Sequence, residues 1–195
     1  MGRPAVFIDR DGTINEQMGY INHPSRFVLL PRAAEAIRTL NRSGFATIVV
    51  SNQSGVARGY FPMELVHAVH DLMENLLSKE GARLDGIFFC PHHPQGVVPE
   101  YAISCDCRKP GTGLIKQARD ELDIDMTGSY VIGDRCQDLE MARRAGLEGV
   151  LVLTGYGRGE REYILPREGV RPAYIAEDLL DGVLWIINSR TQRTG

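Results

Sequence analysis

Two rhythms alternate along this chain. Compact apolar runs are separated by longer stretches in which apolar residues recur with a helical period. Ala5–Asp9 (AVFID) reads as a first strand ending in a carboxylate. Pro31, a residue favoured at the first helical position, opens a segment in which Ala33, Ala36, Ile37 and Leu40 share one face, and Ser43-Gly44 closes it. Ala46–Val50 is a second strand, followed by a polar, glycine-containing loop, Ser51–Tyr60. Pro62 opens a longer helix striped by Leu65, Val66, Val69, Leu72, Met73, Leu76 and Leu77. Gly86–Phe89 gives a third strand, and Leu114, Ile115, Ala118 and Leu122 mark a helix. Tyr130–Ile132 is a fourth strand, Leu139–Ala145 a helix, Val150–Leu153 a fifth strand, and Glu177–Asn188 a last amphipathic helix. Residues 190–195 read as a frayed tail. Between the third strand and the next helix, Cys90–Pro110 is proline-rich and has no period.

Strands alternating with helices predict an α/β fold: a doubly wound parallel sheet with helices on both faces. One domain over residues 1–195 is expected, with 90–110 as an insertion too long for a plain connection. The composition is ordinary for a globular chain, 43% hydrophobic and 24% charged, which excludes disorder, collagen and coiled coil. A net charge of −3 advertises neither nucleic acid nor anionic membrane. Runs such as Ala46–Val50 and Val183–Ile187 fall far short of the ~20 residues that span a bilayer. The N-terminus passes almost directly into a strand, without a signal peptide. A soluble cytoplasmic protein is therefore expected, and the near-neutral surface suits a monomer.

The chemistry gathers at strand ends, where doubly wound sheets bind ligands. Asp9-Arg10-Asp11-Gly12-Thr13 follows the first strand; two carboxylates there can converge on one metal and one phosphate, and Gly12 permits a tight turn. Ser51-Asn52-Gln53-Ser54-Gly55 ends the second strand with donors suited to phosphate oxygens. Arg108-Lys109-Pro110 places cations before a helix. Gly133-Asp134, followed by Asp138, ends the fourth strand; Asp134 points to a hard cation such as Mg²⁺, and Asp138 either joins it or caps the following helix. Cys90-Pro91-His92 and Cys105-Asp106-Cys107, with twelve residues between, supply three thiolates and one imidazole. That is a closed structural zinc set, able to fold a loop with little core of its own. His93 is adjacent, so either imidazole fits the spacing. Cys136 lies outside this pattern and reads as a half-buried thiol.

The ordered set DxDGT, Ser51, Lys109 and Gly133-Asp134 resembles the haloacid dehalogenase (HAD) superfamily. The strings DRDGTIN, SNQSGVARG, CPHHPQG, CDCRKP and IGD are similar to the D-glycero-D-manno-heptose-1,7-bisphosphate 7-phosphatase family, over residues 6–154. Histidinol-phosphate phosphatases share this branch. The resemblance implies a HAD-like domain with a minimal cap and a zinc loop, removing the 7-phosphate of heptose 1,7-bisphosphate in nucleotide-activated heptose synthesis. The alternative it leaves open is histidinol phosphate or another small phosphate ester.

The same resemblance implies the roles. Asp9 is the nucleophile that forms an aspartyl phosphate, and Asp11 the general acid and base. Mg²⁺ is held by Asp9, the main-chain carbonyl of Asp11 and Asp134, and Ser51 and Lys109 stabilise the phosphoryl oxygens. Zn²⁺ is held by Cys90, His92, Cys105 and Cys107. Gly19, Tyr20, Asn52, Gln53, Ser54, Arg108 and Arg135 are the implied contacts of the phosphorylated sugar. Arg135 departs from the lysine of many members, and Arg108 is either a phosphate grip or a surface arginine of the zinc loop. The segment Gly155–Arg161 reads either as a loop near the site or as a glycine-rich turn.

Overall fold

In a computed structural model, which describes residues 2–194, the apolar runs become one parallel sheet. Its strands are β1 (Arg3–Ile8), β2 (Ala46–Asn52), β3 (Gly86–Cys90), β4 (Ile124–Gly133), β5 (Glu148–Val152) and β6 (Tyr174–Ala176), in the order β3-β2-β1-β4-β5-β6. The helices are α1 (Ala33–Arg42), α2 (Met63–Lys79), α3 (Gly113–Leu122), α4 (Cys136–Arg144) and α7 (Leu179–Thr194). Between β5 and β6 runs a strap of short turns: α5 (Gly157–Gly159), a π-helical segment (Glu160–Ile164) and α6 (Leu165–Glu168).

The central strands read as unbroken apolar runs because both faces are covered. Val6 and Ile8 pack with Val49, Ile132 and Val150 beneath α1, α2 and α7. Ala5 and Phe7, pointing the other way, pack with Ile48, Val50 and Val131 beneath α3 and α4. Residues 5–8 are wholly buried, so truncating Ile8 to alanine would cost about 2–5 kcal/mol. Among the described residues no helix is long and apolar enough to cross a membrane.

The structure departs from the predicted elements where the period is short or broken. A sixth strand, β6, has three residues, too few to show alternation; it pairs Val150↔Tyr174 and Val152↔Ala176. β4 begins at Ile124 rather than Tyr130. Arg3 and Pro4 pair with Ile124 and Asp125, then the register shifts to Val6↔Tyr130. The Ser129 hydroxyl accepts the Ala5 N–H at 2.8 Å within that bulge. α1 starts at Ala33, because Arg32 adopts a left-handed conformation (φ 64°). α4 starts at Cys136, three residues before the apolar stripe. α7 starts at Leu179 and continues to Thr194, through most of the segment expected to fray; Gly195 lies outside the described residues.

β1 and β4 are neighbours, and the strand order reverses between them. Their carboxyl ends open the crevice in which such sheets place a ligand.

Candidate active site

Asp9 is the first residue past β1, and its N–H donates to the Ile132 carbonyl of β4 at 2.9 Å. Its carboxylate therefore stands at the switch point. Lys109, a hundred residues on, reaches it from the far end of the proline-rich loop. Lys109 Nζ donates to Asp9 Oδ1 at 2.6 Å and to the Val50 carbonyl at 3.0 Å, and lies 2.6 Å from Asp138 Oδ1. Its side chain is 1% exposed. Burial alone would discharge the amine; Asp138 and Asp9 overcome it and hold Lys109 protonated, above its ordinary pKa. Asp138 also accepts the Arg135 N–H at 3.1 Å, so it both caps α4 and pairs Lys109.

Asp9, Asp134 and Asp138 bring one oxygen each within 4.8 Å of one another, all buried. One lysine cannot neutralise three carboxylates. Burial pushes Asp9 up to about 7 against the pull of Lys109, and burial, Asp9 and Asp138 push Asp134 up to about 8. Asp134 Oδ2 accepts the Tyr156 N–H at 2.8 Å, but Asp134 Oδ1 is buried with no donor among the described residues. Backbone crowds this carboxylate. A Cβ on Gly12 (φ +90°) would lie 2.1 Å from Asp134 Oδ2, and one on Gly155 2.2 Å. Hard oxygen donors, excess negative charge and an orphaned acceptor fit a small divalent cation.

Asp11 faces a different set. Arg10 Nη2 donates to both its oxygens (3.0 and 2.8 Å), Asn15 Nδ2 to Oδ1 (3.0 Å) and Gln53 Nε2 to Oδ2 (2.9 Å). Against burial, Arg10 and then Asn15 hold this carboxyl below the usual carboxylate range. Gln53 Nε2 also donates to Ser51 Oγ at 2.7 Å.

These groups open onto a cleft of about 190 Å³ lined by Asp9, Asp11, Gly19, Tyr20, Ser51, Asn52, Ser54, Arg108 and Arg135, and also by Gln17, Gln137 and Tyr156. Of the residues expected to touch substrate, Gln53 alone does not line it; its amide is spent on Asp11 and Ser51. Tyr20 stands at the cleft with its ring edge-on to Tyr60, centroids 4.8 Å apart.

Cys90, His92, Cys105 and Cys107 form a second cluster. The S···S separations are 3.1–3.5 Å, and His92 Nδ1 lies 3.3 Å from Cys107 Sγ and 3.7 Å from Cys90 Sγ. A disulfide needs about 2.05 Å. A tetrahedron of Zn–S bonds near 2.3 Å has edges of about 3.8 Å, so the four donors fit zinc. The structure also separates the two imidazoles: His93 turns away, its Nε2 3.0 Å from Arg58 Nη2.

Comparison with known proteins agrees with this fold. A family model described as HAD-hydrolase-like matches residues 106–182. The chain is 43% identical over 190 residues to a D-glycero-D-manno-heptose-1,7-bisphosphate 7-phosphatase of Thermosynechococcus vestitus, covering 95% of this chain and 96% of that one. It belongs to that family of HAD-like phosphatases. A D-glycero-beta-D-manno-heptose-1,7-bisphosphate 7-phosphatase of Yersinia pestis is 45% identical over 153 residues, 78% of this chain and 81% of that one. A crystal structure of D,D-heptose 1,7-bisphosphate phosphatase from B. bronchiseptica, complexed with magnesium and phosphate, superposes with a TM-score of 0.83. It is 31% identical and covers 97% of this chain and 99% of that one.

Several residues around the site escaped sequence reasoning. Arg10 and Asn15 flank Asp11 inside the first motif, where a 2%-exposed arginine pairing its own neighbour leaves no spacing signal. Thr154 Oγ1 donates to the Gly12 carbonyl at 2.6 Å, and Tyr156 bonds Asp134. The segment after β5 is thus part of the site, which decides between the two readings left open for Gly155–Arg161.

Proposed function

We propose that this chain removes the 7-phosphate of D-glycero-D-manno-heptose 1,7-bisphosphate, with Asp9 as nucleophile. The observation that carries this reading is the 43% identity to a phosphatase of that name along 95% of the chain. The gathering of Asp9, Asp11, Ser51 and Lys109 at one cleft supplies the chemistry.

In the first half-reaction an Asp9 carboxylate oxygen bonds to phosphorus while the bond from phosphorus to the sugar oxygen breaks. Asp11 gives its proton to the leaving alkoxide. In the second, Asp11 takes a proton from water as the water oxygen bonds to phosphorus. The bond from phosphorus to Asp9 breaks, and inorganic phosphate leaves with Asp9 regenerated. The donors around Asp11 suit its role as base; to act as acid it exchanges one of them for the leaving oxygen. Ser51 Oγ already accepts from Gln53, which leaves the Ser51 proton for a phosphoryl oxygen. Lys109 pulls Asp9 toward its ionised form against burial and adds positive charge where phosphoryl charge builds. Magnesium, bound by Asp9, the Asp11 carbonyl and Asp134, would offset phosphoryl charge and align the in-line displacement. Zinc on Cys90, His92, Cys105 and Cys107 would fix the loop that carries Arg108 and Lys109. Arg108, which donates to the His92 carbonyl at 3.2 Å, and Arg135 supply cations for the phosphate that is not attacked.

The test is phosphate release with Mg²⁺ from both anomers of the heptose bisphosphate, histidinol phosphate and fructose 1,6-bisphosphate, with Asp9→Asn as blank. The expected result is a dominant kcat/KM for one heptose anomer. A preference for histidinol phosphate, or release no faster than the blank on every substrate, overturns the reading.

A further inference from the structure

Tyr156 and Glu160 lie 21 and 25 residues beyond Arg135 and surround its side chain. The Arg135 guanidinium lies 4.9 Å over the Tyr156 ring, and its Nε is 3.5 Å from Glu160 Oε1. Both partners are themselves fixed. Glu160 Oε2 accepts the N–H of Cys136, one of the first-turn donors of α4 that no helical carbonyl can satisfy, at 2.9 Å, and its side chain is 11% exposed. Tyr156 is tied by its own N–H to Asp134 Oδ2.

Arg135 has two spaces open to it. It lines the catalytic cleft, and it also lines a larger cavity of about 670 Å³ between α4 and the strap. Its side chain is 46% exposed, so packing does not choose between them. The contacts do. Glu160, on the cavity side, pairs with Nε, and Tyr156, on the cleft side, covers one face of the guanidinium plane, which leaves the outer nitrogens for a bidentate partner. Three carboxylates line the cavity side: Glu140 is already occupied by Arg143 and Arg144 at 2.7–2.9 Å, and of Glu160 and Glu168 it is Glu160 that pairs with Arg135, through Nε and not through the outer nitrogens.

We infer that Glu160 and Tyr156 are positioning residues that hold Arg135 toward the catalytic cleft, and so set the preference for substrates carrying a second phosphate. This rests on the reading of Arg135 as a contact of the phosphate that is not attacked. The strap thereby acts on both ends of the substrate, through Asp134 at one and Arg135 at the other.

The test uses Glu160→Gln, which keeps an acceptor for the Cys136 N–H but removes the charge, and Tyr156→Leu, which keeps the backbone N–H to Asp134. Two readouts are needed. The first is the Arg135 Nε–H resonance in a proton–nitrogen spectrum of the full chain, assigned by its loss in Arg135→Lys. It is expected to move toward the solvent-exposed arginine position in both variants. The second is kinetic. For Glu160→Gln, KM for the bisphosphate should rise three- to tenfold with kcat within twofold, and kcat/KM for a heptose 7-monophosphate should stay within twofold. The double variant Arg135→Lys/Glu160→Gln should be no worse than Arg135→Lys alone. An unmoved Nε–H resonance, or equal losses on bisphosphate and monophosphate, overturns the inference. If the resonance moves but the parent enzyme does not distinguish the two substrates, the positioning stands and the second-phosphate reading falls.

Discussion

Replacing Lys109 by methionine tests the centre of the site with nearly constant volume. The amine sits 2.6 Å from Asp9 Oδ1 and 2.6 Å from Asp138 Oδ1, inside a side-chain environment that is 1% exposed on the lysine and 0% on Asp138. At an effective dielectric near 20, each contact carries about 6 kcal/mol of Coulomb attraction. Desolvation of the ions offsets most of it. What remains on removing one member of a buried pair is about 3–5 kcal/mol, because Asp138 is left without its cation and Asp9 must take up a proton. Lys109→Met should therefore lose that much stability in urea unfolding measured without magnesium. A second change separates charge from packing. Asp138→Asn placed on Lys109→Met removes one uncompensated charge and should regain a substantial part of the loss.

Activity should not return with stability. Without Lys109, burial would keep Asp9 protonated at neutral pH, and a cation is missing where phosphoryl charge develops. Loss of one such donor costs about 10²–10³ in kcat, and phosphate release by both the single and the double variant should fall at least that far. A Lys109→Met protein as stable as its parent, or one within tenfold of parental kcat, would refute this account of the lysine.

Two further outcomes follow from the same geometry. Elemental analysis should find one zinc per chain in the parent and in His93→Ala but not in His92→Ala, whose loss of metal should be matched by a loss of phosphate release; zinc retained in His92→Ala and lost from His93→Ala would reverse the ligand assignment. In magnesium-free buffer with zinc retained, stability should fall as pH rises from about 5.5 to about 8.5. The reason is that Asp9 (about 7) and Asp134 (about 8) titrate in the folded protein above the ~3.9 of an unfolded aspartate. Protons bound only by the folded state are lost over that window, and added magnesium should restore stability most at the alkaline end; urea midpoints that rise with pH without magnesium would contradict the cluster as described.

The strand-end chemistry was legible because a parallel sheet turns sequence order into place. Asp9 and Asp134 end β1 and β4, and those strands are paired neighbours. The Cys/His cluster was legible because the loop that holds it has no apolar period to confuse with core. The strap was not legible. Its turns are three to five residues long, β6 is three, and the glycines that let Gly155 approach Asp134 look like any surface turn in one dimension. Arg10 was hidden for the opposite reason: it stands in the most conspicuous motif, yet its guanidinium turns inward onto its own neighbour. Gln53 sits on the expected strand end, but its amide is committed to Asp11 and Ser51 before any ligand arrives.

Lys109 poses a delivery problem that the Cys/His-clustered loop and Asn52 solve together. The lysine must reach Asp9, a hundred residues earlier, from a loop with little core of its own. Cys90 anchors the loop's beginning at the end of β3, where it pairs in register with Asn52 and its carbonyl accepts the Gln53 N–H at 2.7 Å. Cys107 anchors the loop's end two residues before the lysine. Between those anchors Asn52 grips the lysine backbone from both sides: its Oδ1 accepts the Lys109 N–H at 3.0 Å and its Nδ2 donates to the Lys109 carbonyl at 3.2 Å. Asn52, expected as a substrate contact, therefore also serves as a clamp. The position of the amine is set by β2 and by the four-donor cluster jointly, so loosening either should be felt at Asp9, although neither touches it.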